Sequence, residues 1–303
     1  MAAHAGPLAA TDARSVRRRL AGDTRVRIAI VVLTLLALSA AFASQISPYD
    51  PKEHLGITTL NGKPPSLAHP FGTDPFSRDV FSRLIHGTRV SLVIAFGAVA
   101  LATTLGTVLG AIAGYVGGVV DSVIMRVVDA ALAIPPLLLL IVVIALWGSI
   151  GIVPLALLIG NVQWFGTSRL VRAETVALRD TDFVVAARAL GVPGPVILWR
   201  HVLPNAVGPA IVGAALAVGN IILLEAGLSY LGIGVPQPTP SWGNIIQDGS
   251  ERVSDLWWLT LFPGLAILVT VFACNALGDA LREALDPRQL QASPLEDTLH
   301  HSA

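Results

Sequence analysis

Apolar runs alternate along the chain with polar intervals rich in Pro and Gly, and six of the runs are read as membrane spans. A crossing helix needs about 20 apolar residues. The first run is Ile28 to Ala43, extended as an anchor over residues 28–46. The second is Val90 to Gly114, and the third, Ser122 to Trp147, contains Pro135-Pro136, which must break or kink it. The fourth, Ile150 to Phe165, is short, carries Pro154 and ends in polar Asn161 and Gln163. The fifth is Asn205 to Leu231, and the sixth, Leu256 to Leu277, has Trp257 and Trp258 at its boundary as interfacial anchors.

Charge orients these spans. A basic tail over residues 1–27, with Arg14, Arg17, Arg18, Arg19, Arg25 and Arg27, reads as cytoplasmic. Six spans then return the tail at 284–303 to the same side. Residues 47–89 form an outer loop in which Val80 to His86 is expected as a separate amphipathic helix at the interface. The core of five spans covers residues 90–283. Arg78, Arg83 and Arg89 on the outer side strain the positive-inside rule, and Asp74 and Asp79 offset them only partly. Ala41-Phe42-Ala43 also fits a signal-peptide cleavage site, but the preceding run is long for one and retention as an anchor is the preferred reading.

Composition agrees. The 303 residues are 53% hydrophobic and 13% charged, against roughly 25% charged in ordinary soluble domains. Cys274 is alone, which rules out an internal disulfide or a cysteine metal cluster. Gly106, Gly110 and Gly114 make a small-residue stripe, and Gly213 with Ala217 a second edge, for close helix packing. Glu225 lies inside the fifth span between Asn220 and Ser229. A carboxylate at that depth needs a partner, water or a proton; snorkelling to the outer interface and lining a pathway both remain open.

The longest polar interval of the second half runs from Glu174 to Asn205, with Arg169, Arg172, Arg179, Arg188 and Arg200 within it or beside it. Asp180 to Leu190 reads as a short helix, capped by Thr181 or Asp182 and stopped by Gly191 and Pro193. Ala186-Ala187 offers a close-approach surface and Phe183 and Leu190 apolar contact, as a helix pushed into a partner's groove requires.

Ala186-Ala187, three residues, Gly191, and nine residues to His201 before Leu203-Pro204 resembles the EAA loop of ABC-importer permeases. The run Arg200 to Asn205, the run Gly72 to Asp79 with Ser82-Arg83 and Gly87 to Leu92, and the run Pro236 to Gly243 look like the dipeptide/oligopeptide branch, in its second-permease type. The resemblance covers Phe71 to Arg288. Two positions depart from it: Val185 stands where the motif has glutamate, and Ser77 where the family has glycine.

The resemblance implies an all-α integral membrane protein with the type I ABC-importer permease fold and six transmembrane helices. A coupling helix at 180–192, in a loop at 169–205, would dock on an ATPase through Asp182, Phe183, Ala186, Ala187, Arg188, Leu190, Gly191 and Pro204. Asn161, Gln163, Asn220, Glu225 and Ser229 are the candidates for lining the translocation pathway. The implied partners are a homologous second permease, two ATP-binding subunits, an extracytoplasmic substrate-binding protein and membrane lipid, with no nucleic acid. The implied location is the bacterial cytoplasmic membrane, and the implied cargo dipeptides or oligopeptides, with nickel chelates, glutathione or another small ligand as the alternative.

This chain holds no ATP site of its own. Its one Gly-Lys pair, Gly62-Lys63, is followed by Pro64, and Lys52 is the only other lysine. ATP and Mg therefore belong to partner subunits, and no cofactor is expected here. His-Glu-x-x-His and Gly-x-Ser-x-Gly are also absent. The His300-His301 pair reads as a solvated terminus. An intramembrane enzyme using Glu225 or Asp129 would need a second polar group that no motif supplies. An ion-coupled carrier would need several intramembrane charges, whereas Arg126 and Asp129 are read as close to a membrane end.

Overall fold

The computed structural model describes residues 22–56, 59–148 and 150–285. Most of the basic N-terminal tail, Arg288 and the His300-His301 pair lie outside these residues. Among the described residues the chain is helical, with one isolated antiparallel bridge between Thr73 and Asp79.

Helix α1, Thr24–Ala41, begins at Asp23, whose carboxylate accepts the Arg25 N–H at 2.7 Å. It leaves Ile28, Ile30, Val31 and Leu35 exposed, an apolar surface suited to lipid. Helix α2, Val80–Val116, is one element of 37 residues. The separate interfacial helix expected at Val80 to His86 is its first two turns. Asp79 caps it, accepting the Ser82 N–H at 2.8 Å. Gly87 does not break it, because the missing side chain lets the Ser241 backbone come close: a Cβ there would meet that carbonyl carbon at 3.3 Å. At 1.5 Å per residue α2 is roughly 55 Å long, well beyond a hydrocarbon core of about 30 Å.

Between the second and third runs the chain turns tightly. Gly117 and Gly118 take positive φ of 70° and 57° and start α3, Gly118–Leu132, directly. Pro135-Pro136 does break the third run. Helix α4, Pro136–Trp147, starts there and is bent by 85° from α3.

Helix α5, Ile152–Leu178, corrects the short fourth span. Pro154 sits in its first turn, where a missing N–H is no loss. Asn161 and Gln163 do not end the helix, and it continues through Arg169 and Arg172, which pair with Asp129 and Asp121 of α3. Helices α6, Asp182–Ala189, α7, Gly208–Tyr230, α8, Trp242–Gly249, and α9, Trp258–Leu285, complete the set.

By length and hydropathy α1, α2, α7 and α9 can each cross a membrane, and α3 with α4 makes a fifth crossing if the bent pair is one span. Polar Asn161 and Gln163, with Arg169, lower the mean hydropathy of α5 and keep it outside that count.

The main contact is between α2 and α5, and the glycine stripe makes it. A Cβ on Gly110 would sit 2.4 Å from the Ser168 carbonyl oxygen, and one on Gly114 2.8 Å from that of Arg172. Gly160 answers from α5, with the Ala98 oxygen 2.8 Å away. The stripe therefore serves packing inside this subunit. The second expected edge is displaced: Gly213 has only a Leu170 methyl at 3.9 Å. Helices α7 and α9 approach instead at Gly278, where a Cβ would meet Leu216 Cδ2 at 2.5 Å.

Candidate coupling loop and buried polar clusters

Helix α6 lies between expected boundaries. Thr181 occupies the N-cap position with extended backbone, but its hydroxyl donates back to the Leu178 carbonyl at 2.6 Å rather than capping α6. Asp182 is exposed in the first turn, where a carboxylate favours the helix dipole. Gly191, at φ 78°, ends the helix: its N–H and that of Val192 donate to the Arg188 and Ala187 carbonyls.

The helix has two distinct faces. Val184 and Ala187 turn inward onto Ala111, Val171, Ile197, Leu198, Val202 and Ala210. Asp182, Phe183, Val185, Ala186, Arg188, Leu190 and Gly191 are exposed, with Leu190 84% accessible. Ala187, expected on the docking face, is 9% exposed and belongs to the subunit's own core. Little of its side chain is left for a partner. Val185, in place of the motif glutamate, adds an apolar side chain to the outer face.

The return path runs through short helical turns at Gly194–Ile197, Leu198–Val202 and Leu203–Ala206, and leaves Pro204 and Trp199 exposed. Trp199 does not stand out in the sequence, since it sits in the spacer between Gly191 and His201, where the motif specifies no residue. The loop is fastened to the ends of α2 and α5: Tyr115 and Leu178 pack on its core, and Arg179 Nη1 donates to the Gly114 carbonyl at 3.3 Å.

The five pathway candidates separate. Asn161 and Asn220 are exposed and Gln163 half-buried, whereas Glu225 and Ser229 are closed off from the surface. Ser91 Oγ of α2 donates to one Glu225 oxygen at 2.9 Å, and Ser229 Oγ to the other at 2.7 Å. Ser229 Oγ in turn accepts the Val235 N–H at 3.0 Å, and Ser91 Oγ that of Trp242 at 3.5 Å. Glu225 thus neither snorkels nor lines an open surface of this chain. Its carboxyl group is held by two hydroxyls, which in turn hold the loop between α7 and α8.

A second buried cluster removes the difficulty with the arginines. Arg78 Nε donates to Asp74 at 2.6 Å, Nη2 to Asp248 at 2.9 Å and Nη1 to Gln237 at 3.0 Å. Arg83 Nη1 bonds to both Asp74 and Asp248, and Nη2 reaches Asn244 at 3.5 Å. Two cations therefore meet two carboxylates, and the offset expected to be partial is balanced. Asp248 supplies the missing charge from 165 positions beyond Arg83. Burial, with Arg83 nearby, pulls the Arg78 guanidinium below its ordinary value, while Asp74 and Asp248 push it back up.

Arg89 is used differently. It donates to the Ala40 and Ala41 carbonyls at 2.8 and 2.9 Å, closing the C-terminus of α1. Asp79, besides capping α2, accepts from His69 Nδ1 at 2.9 Å. Ser77, the other departure, has φ 60°, which glycine adopts freely and serine does not. Its buried hydroxyl has no hydrogen-bond partner. No group of three or more His, Cys, Asp or Glu placed to hold a metal occurs among the described residues.

Known proteins share this pattern over most of its length. Residues 106–291 match the family described as binding-protein-dependent transport system inner membrane component. A dipeptide transport system permease protein of Alkalihalophilus pseudofirmus is 39% identical over 276 residues, covering 91% of this chain and 90% of that one. A Brucella suis biovar 1 protein, provisionally named a peptide permease, is 39% identical over 288 residues, covering 94% and 93%. A family match over well over half of the chain, and relatives aligned nearly end to end, fix the conclusion: this chain belongs to the family of binding-protein-dependent transport system inner membrane components.

Proposed function

We propose that this protein is a permease subunit of an ATP-driven importer for dipeptides or oligopeptides, in the bacterial cytoplasmic membrane. The observation that carries the reading is the outer face of α6. Phe183, Val185 and Leu190 are presented to solvent on a short helix whose other side is locked to the ends of α2 and α5. Apolar side chains kept out of the core on a rigid support suit insertion into a groove on another protein. ATP and Mg then reside on two ATPase subunits, and this chain acts as a transporter part rather than an enzyme. A second permease completes the pathway, and an extracytoplasmic binding protein delivers the cargo.

In this reading six helical passes cross the membrane, with the bent α3–α4 pair and α5 as the third and fourth. Both termini and α6 are cytoplasmic, and the loops before α2 and after α7 are outside. The charges of α5 are compatible with crossing because Arg169 and Arg172 are paired to α3. ATP binding draws two coupling helices together and biases a rocking of helix bundles between two states. The dipeptide and peptide names of relatives aligned over nine-tenths of the chain favour peptide cargo over nickel chelates, glutathione or another small ligand.

Reconstitution tests this. The chain, coexpressed with its neighbouring permease and ATPase subunits, is expected to copurify with them and to import labelled dipeptide into proteoliposomes only with ATP and the binding protein. Import driven by an ion gradient without ATP would sink the reading in favour of a carrier.

A further inference from the structure

We propose that α3 is a latched arm: it pivots at Gly117-Gly118, is held against α5 by the pairs Asp121–Arg172 and Asp129–Arg169, and is released when the loop that carries α6 moves. The inference rests on the docking role given to α6 above.

The pivot shows in the glycines. Gly110 and Gly114 are small because the backbone of α5 lies against them, but a Cβ on Gly118 would meet nothing within 4 Å. Glycine is needed there for its backbone, with φ 70° at Gly117 and 57° at Gly118. The far end is equally open. Residues 133–135 break α3 from α4 with a bend of 85°, and α4 ends at Gly148, at φ 83° and again with nothing within 4 Å of a Cβ.

Little packing opposes a swing. Val128 is the one buried residue of α3, set against Ala102 and Trp164, and α4 buries Leu140 and Ile144 alone. Val119, Val123 and Val127 stay exposed. Charge does the holding. Arg172 donates through Nε and Nη2 to both oxygens of Asp121, and Arg169 through Nη2 to Asp129. The side chains are 36% and 18% exposed in the first pair and 52% and 60% in the second. Pairs this open shift an equilibrium by a factor of about two to five each, so they can part and re-form within a transport cycle. The close backbone contacts at Gly110 and Gly114 have no such freedom.

The path of release is short. Arg179, between α5 and α6, donates through Nη1 to the Gly114 carbonyl at 3.3 Å. A Cβ on Gly117 would meet that same Nη1 at 3.1 Å. Tyr115 packs with Leu178 on the core beneath α6. Displacing the loop that carries α6 thus acts on the residues that end α2 and start α3, and biases two positions of the arm.

The test uses the whole transporter, with its ATPase and binding-protein partners, in a Cys274→Ala background. Spin labels on Ser122→Cys and Ala173→Cys, both exposed, report the separation of α3 from α5. Two distances are expected, with a non-hydrolysable ATP analogue favouring the longer. Without nucleotide, Asp121→Asn should raise the share of the longer distance about two- to fivefold, and the exchange Asp121→Arg with Arg172→Asp should bring it back. In a second variant, Asp121→Cys with Arg172→Cys, a short bis-methanethiosulfonate bridge should stop import and reduction should restore it, with the ATPase subunits bound throughout.

A single distance in every nucleotide state overturns the inference, and so does a bridged transporter that imports as fast as its reduced form. A distance that follows ATP but ignores Asp121→Asn overturns the latch. Failure of the docking role of α6 is read separately, from ATPase pull-down with Leu190→Asp, and does not depend on the labels.

Discussion

At the scale of single residues, Ser77 and Val185, the two positions at which the sequence resemblance breaks, sit in different surroundings. Ser77 holds a left-handed backbone with its hydroxyl buried and unbonded. Ser77→Gly relieves both, and is expected to raise stability by about 1 kcal/mol, read as a higher thermal midpoint of the purified protein; an unchanged or lower midpoint would refute the strain. Val185 carries no strain and lies on the surface. Glu225 was visible in the sequence only as an expensive charge. Its serine partners were not, because Ser91 is 134 positions away and serine is common in any helix. Glu225→Gln keeps one good acceptor and should cost about 1 kcal/mol, whereas Glu225→Ala leaves both hydroxyls without their acceptor and should cost about 2–3 kcal/mol. The specific readout is amide exchange at Val235 and Trp242, whose N–H groups those serines accept. Faster exchange there in Glu225→Ala is the expected result; exchange equal to wild type would mean that the loop is held by something else.

At the scale of elements, the sequence marks α6 within one or two residues at each end, because capping position, Gly191 and Pro193 are local signals. It does not mark which alanine faces inward. Adjacent positions on a helix are about 100° apart, and only the packed neighbours fix the zero of that rotation. The structure turns Ala187 onto Val171 and Ile197 and leaves Ala186 out. The two substitutions should therefore separate. Ala187→Arg overfills a packed site and buries a charge, at a cost above the 1–3 kcal/mol of simple overpacking, and should lower the yield of folded subunit. Ala186→Arg should insert normally and lose ATPase binding, as should Leu190→Asp, about tenfold or more for the lost apolar contact. Pull-down affinity against the amount of inserted subunit measures both effects. If Ala186→Arg and Leu190→Asp bind the ATPase as wild type does, α6 is not the docking element. The length of α2 and α5 was misread for a related reason: polar residues that end an apolar run need not end a helix when pairs such as Arg172 with Asp121 satisfy them.

At the scale of the whole molecule, apolar periodicity was enough for an all-helical membrane protein, but long-range charge pairing was hidden. Arg78 and Arg83 look like violations of the positive-inside rule because the compensating Asp248 lies far along the chain, in α8. The cluster joins the segment before α2 to α8, with no arginine or aspartate side chain in it more than 8% exposed. Its energetics follow from that burial. A buried ion pair adds little over a well-packed apolar pair, but removing one partner leaves a charge with nowhere to go, at a cost of about 3–5 kcal/mol. Asp248→Ala strips an acceptor from both arginines at once and should fall at the upper end of that range. Asp248→Asn keeps an acceptor oxygen and the side chain's volume, and should cost clearly less. Because the cluster ties two loops far apart in sequence, the damage should appear in both. Limited proteolysis of the inserted subunit is expected to cut within residues 59–79 as well as within 236–249 in Asp248→Ala, and in neither region in wild type. Cleavage confined to 236–249 would mean that the first loop stands on its own contacts, and that the arginines do not clamp the two together.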